Sequence, residues 1–408
     1  MEKTLDKFAY KLIQAKLGSR SGPCRPLMGG LDDRIVWNRK ADETRILEEV
    51  FKGLHINSLT FLRPIEPYTS IIAFLAKKAL ESDGTISPKD CETRTFLHDL
   101  PVIDEFNPDK IIQILKKRKS VIVAPKTTGP KEIGPAIIAH GTVSPEQGFV
   151  TISSVCFACF IKFFTDYLEA LQKGIATDSD HHLFDAAIPH LGTVRKKMPN
   201  LMKGPFQNEE NVYSAVIEAG FKTVEYGLVD SFFGNVSYLW NHTLYISQTG
   251  SSLDELAGCI DPVPLDGSTS AGITASSELS AHMEIIQRTD CTAILHGHPK
   301  FSVILSMDCD PVEKAACDFS DQCHIKCPKK RFADGIPIVP GEVGTGPFGL
   351  CNTLPLALEK NNSAIVYGHG LFTIGKNDFS QAFASLLSVE HACQRLYFEK
   401  IKQLRKNL

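Results

Sequence analysis

The sequence predicts an α/β (α+β) protein built from two related halves. Helical and strand-like runs alternate through residues 1–174, and the same alternation starts again at about residue 208. Between them, residues 175–207 are polar and broken by prolines. Interleaved helices and strands are typical of such domains, and prolines interrupt regular structure. We therefore expect a first domain at 1–174, a linker at 175–207 and a second domain at 208–408.

The composition is that of a folded protein without a nucleic-acid partner. The chain has 408 residues, 43% of them hydrophobic, and a formal net charge of -3. Such a near balance of charge argues against nucleic acid as the main partner. The N-terminus lacks a signal peptide's apolar core, and no apolar run is expected to reach the roughly 18 residues of a membrane span. The 12 cysteines are interpreted as thiols of a reducing compartment, so we expect a cytoplasmic protein that does not bind membranes.

Two histidines at the end of a strand-like run form half of a metal site. His296 and His298 follow the apolar run 293–295, and alternate side chains of a strand share one face. A catalytic zinc typically takes three protein ligands and keeps one position open. His369 follows another apolar run and lies between two glycines, which allow a sharp turn. We predict a metal site formed by these three histidines, with zinc as the expected ion; a lone histidine between glycines would otherwise be structural.

Glu278 opens a helix-like run just upstream of the histidines. A carboxylate beside a metal can shuttle protons, so we predict a general acid/base. The alternative is an ordinary first-turn glutamate that interacts with the helix dipole. Ser276 and Ser277 precede it, and their hydroxyls together with free backbone N–H groups suit an anion.

Short stretches of the two halves match at a nearly constant offset of 232 to 236 residues. The matched pairs are 141–149 with 375–383, 67–72 with 299–304, 100–102 with 336–338, and Glu43 with Glu278. A fixed offset predicts an internal duplication, with chance similarity among apolar runs as the alternative. This alignment places Pro64 and Glu66 opposite His296 and His298. The first domain is therefore predicted to be a degenerate copy without a metal site.

Five motifs in chain order carry a family resemblance. They are GNVS at 234–237, ISQTG at 246–250, SSE at 276–278, AILHGHP at 293–299 and AIVYGHGLFTIG at 364–375. Together they resemble the class II aldolase/adducin family, which includes fuculose-phosphate and rhamnulose-phosphate aldolases and ribulose-phosphate 4-epimerase. The resemblance covers the second half of the chain, and in that family the fold is a central, mainly antiparallel sheet covered by helices.

The resemblance implies roles for single residues. His296, His298 and His369 resemble the family's zinc ligands, and Glu278 resembles its acid/base. The implied phosphate pocket is neutral and consists of Asn235, Ser237, Thr249, Gly250, Ser276 and Ser277. A sugar phosphate is the implied substrate, and a homo-oligomer with the site near an interface is the implied assembly.

We expect a metal-dependent lyase of the aldolase type that acts through a metal-stabilised enediolate. An epimerase, dehydratase or decarboxylase of the same family would use the same residues. A non-catalytic, adducin-like interaction protein is the more distant alternative, and it would not need the histidines. The sequence departs from the family pattern at Tyr238, near which an arginine is usual, and in a short tail after His391 that leaves the family's catalytic tyrosine unassigned.

Four cysteines fall in the segment between His298 and Ile336. Cys309, Cys317, Cys323 and Cys327 follow the spacing C-x7-C-x5-C-x3-C. Four thiols could hold zinc or an iron–sulfur cluster, but this spacing matches no standard ligand pattern. A second metal site and four free thiols therefore stay open as alternatives.

Overall fold

The computed structural model describes residues 1–125, 134–192, 197–230, 232–268, 273–320 and 322–406. The chain divides into two compact units. The first unit contains Met1–Tyr167 and Ala176–Gly192, and the second contains Leu168–Ile175 and Thr193–Leu408. Each unit combines one sheet with helices, so the predicted mixed α/β class is confirmed.

The first unit holds a seven-stranded sheet. Its strands are β1 (Leu27–Leu31), β2 (Ile35–Trp37), β3 (Ser58–Leu62), β4 (Thr85–Ile86), β5 (Leu100–Ile103), β6 (Ser120–Val123) and β7 (Ala136–Gly141). Its helices are α1 (Glu2–Gln14), α2 (Thr44–Lys52), α3 (Tyr68–Leu80), α4 (Pro108–Leu115), most of α5 (Pro145–Gln172) and α6 (Asp178–Ala187). Helix α4 begins at Pro108 because the Asn107 side chain caps it by accepting a hydrogen bond from the Lys110 amide.

The second unit holds an eight-stranded sheet. Its strands are β8 (Asn235–Trp240), β9 (Thr243–Ser247), β10 (Ile260–Pro264), β11 (Ala293–Gly297), β12 (Arg331–Ala333), β13 (Ile336–Val339), β14 (Ser363–Val366) and β15 (Gly370–Gly375). Its helices are α7 (Glu209–Glu225), α8 (Leu279–Arg288), α9 (Lys300–Met307), α10 (Pro311–Ala315), α11 (Leu350–Leu358) and α12 (Phe379–Lys406).

The core of the second unit explains why β11 is apolar along most of its length. All five residues of β11 are buried, since β8 and β15 flank the strand and helices cover the sheet. Ile294 packs in a cluster with Ile285 of α8 and Leu354 of α11. Because alternate residues share a face, His296 faces the same side as Ile294, the side from which α8 approaches.

The two sheets have the same strand order. The first runs β2-β1-β3-β7-β6-β5-β4, and the second runs β10-β9-β8-β11-β15-β14-β13-β12. If β10 is left out, the other seven strands of the second sheet can be matched with β1 to β7 in sequence order. Strands that are neighbours in the first sheet then correspond to strands that are neighbours in the second. The single parallel pair also agrees, since β5 pairs with β6 and β13 with β14 in parallel. Strand β10 is the only addition to the second sheet among the described residues.

Strand register identifies the first-unit residues that correspond to the second-unit site. Ser58 pairs with Gly141 as Ala293 pairs with Gly375, so β3 matches β11 residue by residue. The counterparts of the strand-end histidines are therefore Phe61 and Arg63. This corrects the alignment that placed Pro64 and Glu66 there; the offset had drifted because the loops of the two halves differ in length.

The other two site residues have counterparts at element ends. Pro135 precedes β7 as His369 precedes β15, and Glu43 precedes α2 as Glu278 precedes α8. In the first unit the Arg63 guanidinium lies 3.3 Å from Oε1 of Glu43 and donates to the carbonyl of Gly134 across 3.0 Å. An ion pair thus lies where the second unit gathers its histidines.

Residues 175–207, expected to be a linker, include a packed helix. Thr177 and Asp180 form a reciprocal capping box at the start of α6, and Leu183 and Phe184 are buried. Pro189 lies in a short 3₁₀ helix that continues from α6, so it ends the helix without opening the structure. Residues 176–192 therefore belong to the first unit rather than to a linker, and 193–196 lie outside the described residues.

Helix α5 is long and apolar enough to cross a membrane by length and composition alone. No apolar run of that length was expected from the sequence. In the structure, 89% of its most apolar window is buried, and core helices pass the same test of length and composition.

Candidate metal centre and active site

Antiparallel pairing of β11 with β15 brings the three histidines together. His296 pairs with Phe372 and Gly297 with Leu371, so the residue after β11 lies beside the start of β15. His298 is that residue, and His369 immediately precedes β15. Residues about 70 positions apart in the sequence thus meet at one sheet end, as the pattern predicted.

The glycines that flank His369 have different roles. Gly368 has a φ of +61°, a left-handed conformation that glycine adopts without strain. Gly370 instead supplies space, because a Cβ there would lie 2.7 Å from Cε1 of His296 and 2.8 Å from Cδ2 of His298. One glycine makes the turn, and the other lets the imidazoles approach the backbone.

The three imidazoles converge on one buried point. Their ligand atoms all lie within 4.8 Å of one another, and among the described residues no other set of three or more His, Cys, Asp or Glu side chains does so. His296 Nε2 and His298 Nε2 are 3.1 Å apart. Burial, together with the neighbouring rings, holds the pKa of His296 and of His298 well below the usual range. The rings are therefore neutral at neutral pH, as metal ligation requires.

A backbone carbonyl sets the tautomer of His296. Its Nδ1 lies 3.2 Å from the carbonyl oxygen of Leu371, which can only accept, so Nδ1 carries the proton. The lone pair of Nε2 then points at the other two rings. The His296 ring also stacks on Phe372, with centroids 3.8 Å apart, which fixes its orientation.

Glu278 lies directly beside the triad. Its Oε1 is 3.3 Å from Nε2 of His369, and its Oε2 is 3.6 Å from Nε2 of His296. Burial raises the pKa of Glu278 to about 7, while a hydrogen bond from Asn235 opposes the rise. A carboxyl group in this state can both take and release a proton near neutral pH. The structure thus places Glu278 next to the histidines that were predicted to bind a metal.

A chain of buried hydrogen bonds connects Glu278 with Asn235, His282 and Ser237. Asn235 Nδ2 donates to Glu278 Oε2 across 2.6 Å, so Asn235 Oδ1 faces Nε2 of His282 across 2.5 Å. An amide oxygen accepts only, hence His282 Nε2 carries the proton and Nδ1 accepts from the Ser237 hydroxyl across 2.7 Å. Burial lowers the pKa of His282 to about 3, so the ring stays neutral. Every bond in the chain has a defined direction.

The residues predicted for the phosphate pocket lie partly buried in the interior and partly exposed on loops. Asn235 and Ser237 are buried and belong to the hydrogen-bond chain behind Glu278. Thr249, Gly250 and Ser277 are exposed on two loops that a bridge between Gln248 and Ala275 joins. Ser276 is buried, and its hydroxyl accepts a hydrogen bond from the Glu278 amide across 3.3 Å.

Helix α9 supports the segments that carry His298 and His369. At its start, the buried Glu390 accepts hydrogen bonds from the amides of Phe301 and Ser302, each at 2.9 Å. Near its end, the Ser306 hydroxyl accepts from the Gly368 amide across 2.8 Å. The helix thus begins two residues after His298 and supports the turn that presents His369.

Comparison with known proteins places this site in a family. A sequence model described as the class II aldolase and adducin N-terminal domain matches residues 214–397. L-fuculose phosphate aldolase of Methanococcus maripaludis (strain C7) is 30% identical over 168 residues, which are 40% of this chain and 84% of that protein. The chain belongs to the class II aldolase and adducin family.

Solved structures from this family cover about half of the chain. L-fuculose-1-phosphate aldolase from Thermus thermophilus is 21% identical and has a TM-score of 0.38. The match covers 48% of this chain and 97% of the Thermus chain. YgbL from Escherichia coli, described as a putative aldolase/epimerase/decarboxylase, is 19% identical, covers 46% of this chain and 89% of its own, and has a TM-score of 0.36.

The second unit fits the divalent metal that class II aldolases typically use. Three buried imidazoles converge, those of His296 and His298 are neutral, and the carbonyl of Leu371 leaves the Nε2 lone pair of His296 aimed at the common point. Nitrogen ligands of this kind suit zinc. The Phe61, Arg63 and Pro135 side chains at the matching positions of the first unit offer no ligand atom for such an ion.

Sequence reasoning missed His282, Leu371 and Glu390. His282 could have been found, because it lies four residues after Glu278 and so on the same face of α8. The carbonyl of Leu371 and the cap by Glu390 carry no sequence signal, since both depend on which elements pack together.

Proposed function

We propose that this protein is a metal-dependent lyase of the aldolase type that acts on a small, phosphorylated hydroxy-carbonyl compound. One observation carries the proposal: Glu278 places its carboxylate oxygens 3.3 and 3.6 Å from two of the three converging imidazoles. A proton carrier beside a metal-ligand set is the apparatus that cleavage next to a carbonyl needs. Membership in the class II aldolase family supports the lyase class.

The histidines would hold a cation, and Glu278 is proposed to move the proton. A divalent ion bound by His296, His298 and His369 would supply Lewis-acid polarisation of a substrate carbonyl oxygen. In the cleavage direction, Glu278 takes the proton of the substrate hydroxyl as the C–C bond breaks, and an aldehyde departs. The electron pair stays on the carbonyl fragment, which then takes that proton back from Glu278 at carbon. Because Asn235 occupies Oε2 of Glu278, Oε1 is the oxygen that exchanges this proton.

The phosphate group of the substrate would lie against the two exposed loops. Thr249, Gly250 and Ser277 offer a hydroxyl, a backbone N–H group and a second hydroxyl there. Hydroxyls and backbone donors bind phosphate by hydrogen bonds without a large positive charge. Asn235 and Ser237 are proposed to orient Glu278 instead, since their side chains are buried and already paired with one another through His282.

A product-resolved screen tests the proposal. The chain is incubated with L-fuculose 1-phosphate, L-rhamnulose 1-phosphate, L-ribulose 5-phosphate and the free ketoses, with added Zn, Mn or Co. We expect an aldehyde and a three-carbon ketone phosphate from at least one ketose 1-phosphate, and no product from Glu278→Gln with its metal still bound. An epimer or a dehydrated product would instead assign one of the family's other reactions.

We also propose that the first unit is a degenerate copy of the second in which Arg63 replaces the metal. The shared strand order and parallel pair support the common origin. The Arg63 guanidinium contacts Glu43, which corresponds to Glu278. It also contacts Gly134, the residue before the counterpart of His369. A permanent cation therefore supplies the positive charge without an ion. This unit is proposed to have no catalytic role of its own.

Metal counts of paired variants test this second proposal. Arg63→Gln should lower the free energy of unfolding by about 1 kcal/mol, the scale of a partly exposed ion pair, and leave metal content unchanged. Glu43→Gln should also keep all bound metal, whereas His298→Ala should lose an ion. Loss of one ion per chain from Glu43→Gln would locate a metal site in the first unit and contradict the proposal.

A further inference from the structure

The segment from Asp308 to Phe332 has almost no core of its own. None of its described residues is fully buried, and Val312 and Phe332 are 78% and 60% exposed. Its regular structure amounts to the five-residue helix α10 and most of the three-residue strand β12. Small folds that have too little apolar core of their own use disulfides or a structural metal as cross-links, and a segment this poor in buried apolar residues can use the same device.

Four cysteines of this segment line one cavity. Cys309, Cys317, Cys323 and Cys327 all contribute to the wall of a cavity of about 800 Å³, and all four are free and half-buried. They are the segment's entire complement of cysteines. Half-buried thiols around one space can be reached by an incoming ion, unlike the fully buried Cys393 of α12.

The electrostatics around the thiols suit thiolate formation on metal binding. The cation Arg331 lines the same cavity as the four thiols. Cys323 Sγ donates a hydrogen bond to the Ser320 carbonyl across 3.4 Å. A bound cation would displace the protons, and Arg331 would offset part of the thiolate charge.

We propose that Cys309, Cys317, Cys323 and Cys327 are the ligands of a second metal centre, a four-thiolate site for Zn²⁺ or an iron–sulfur cluster. Both occupants are bound by four cysteine thiolates, and each thiol gives up its proton to solvent on binding. The thiols line the cavity wall without converging to within 4.8 Å as the histidines do. The segment has little packing that would resist the shift that brings them onto an ion.

The role of this centre is structural. It ties residues 309–327 to β12, and so to β13 and β14 of the sheet that carries the histidines. The proposal is independent of the proposed lyase, since none of the four cysteines belongs to the triad or its supporting chain.

Metal analysis of four versions of the full chain tests the proposal. These are the native chain, the triple variant His296→Ala/His298→Ala/His369→Ala, a variant with all four cysteines replaced by serine, and the control Cys259→Ser/Cys351→Ser. The control removes two half-buried thiols of the second unit that lie outside the segment. Each is purified without oxygen or chelator and assayed for zinc, iron and acid-labile sulfide.

We expect the triple-histidine variant and the control to retain the thiolate-bound metal, and the four-serine variant to lose it. Zinc without sulfide would identify a mononuclear site, and iron with equimolar sulfide would identify a cluster. Unchanged metal content in the four-serine variant would overturn the proposal.

A second measurement uses the native chain and does not depend on folding of the variants. A mercurial titrated into the native protein should release one zinc, or the iron of one cluster, as these four thiols react, with a metallochromic dye as the reporter. Release should make the 309–331 segment more sensitive to limited proteolysis. Reaction of the thiols with no metal released, or disulfides between them in freshly lysed cells, would also overturn the proposal.

Discussion

The side-chain amide of Asn235 donates a hydrogen bond to Oε2 of Glu278 across 2.6 Å. Asn235 lies on β8 and pairs with His296 across the sheet, whereas Glu278 precedes α8. The bond therefore ties the strands around the three histidines to the helix that presents the carboxylate. It also leaves Oε1 as the oxygen available for proton exchange.

Loss of this bond should change the pH dependence of turnover. The bond from Asn235 opposes the rise that burial causes in the pKa of Glu278, so Asn235→Ala should raise that pKa further. We expect the acidic limb of the pH–kcat profile to move up by about one unit and kcat at pH 7 to fall about 5-fold. A profile that overlays that of the native chain would show that Asn235 does not act on the carboxylate.

Two replacements of His282 distinguish the effect of its hydrogen bonds from the effect of its packing. His282→Leu removes the donor to Asn235 and the acceptor for Ser237, and we expect kcat to fall about 10- to 100-fold, the usual cost of losing an outer-shell partner. His282→Gln offers both a donor and an acceptor, so it should recover most of the loss. Steady-state kinetics with metal content measured in parallel checks this. Equal defects in the two variants would mean that His282 contributes only volume.

The space at Gly370 should be essential for metal binding. A Cβ there would lie less than 3 Å from both His296 and His298, whereas nothing lies within 4 Å of the same atom built at Gly346. Gly370→Ala should therefore weaken zinc binding by more than about 10-fold, the lower end of outer-shell effects. Gly346→Ala is the matched control and should bind as the native chain does, as measured by competition with a chelating dye.

The buried carboxyl of Glu390 should make stability depend on pH. Burial raises its pKa from 4.5 to about 7, so the folded state binds a proton that the unfolded chain releases between these values. The resulting stabilisation is complete below about pH 4.5 and is lost as the pH rises through about 7. Relative to Glu390→Gln, the native chain should lose about 3 kcal/mol of unfolding free energy between about pH 4 and pH 8.

Fluorescence of Trp240 reports unfolding of the second unit specifically. Only two tryptophans are present, so a Trp37→Phe background leaves Trp240 as the single reporter. Urea unfolding of both chains, stripped of metal, is measured across the pH series. A pH-independent difference between native and Glu390→Gln chains would show that the carboxyl keeps an ordinary pKa.

Much of the metal site could be predicted because its signals are local. His-Gly-His at a strand end sends two rings the same way whatever the rest of the fold does. Glu278 before a helix and His369 before a strand are likewise set by short patterns. The hydrogen-bond chain was not predictable, because Ser237 and Asn235 meet His282 only when β8 packs beside α8. The same packing buries Asn235 and Ser237, which were expected to bind phosphate.

The first unit shows the limits of alignment by offset. Four matched stretches predicted the repeated framework, and the two sheets do share their strand order. A residue-by-residue match at a fixed offset fails once the loops differ in length. The offset therefore matched Pro64 and Glu66 with the strand-end histidines, whereas the strand register matches Phe61 and Arg63 with them. The packed helix α6 was also missed. Prolines around a segment predict an interruption of regular structure whether or not a helix lies between them.

By itself, the sequence determined the mixed α/β class, the family, and which histidines converge. These follow from periodicity and short motifs, which act over a few residues of chain. Only the tertiary structure decided which donor faces which acceptor: Asn235 on Glu278, Leu371 on His296, and Arg63 on Glu43. Those pairings depend on strand register and helix packing between residues far apart in the chain, and a hydrogen bond forms only when its two atoms lie within about 3 Å of each other.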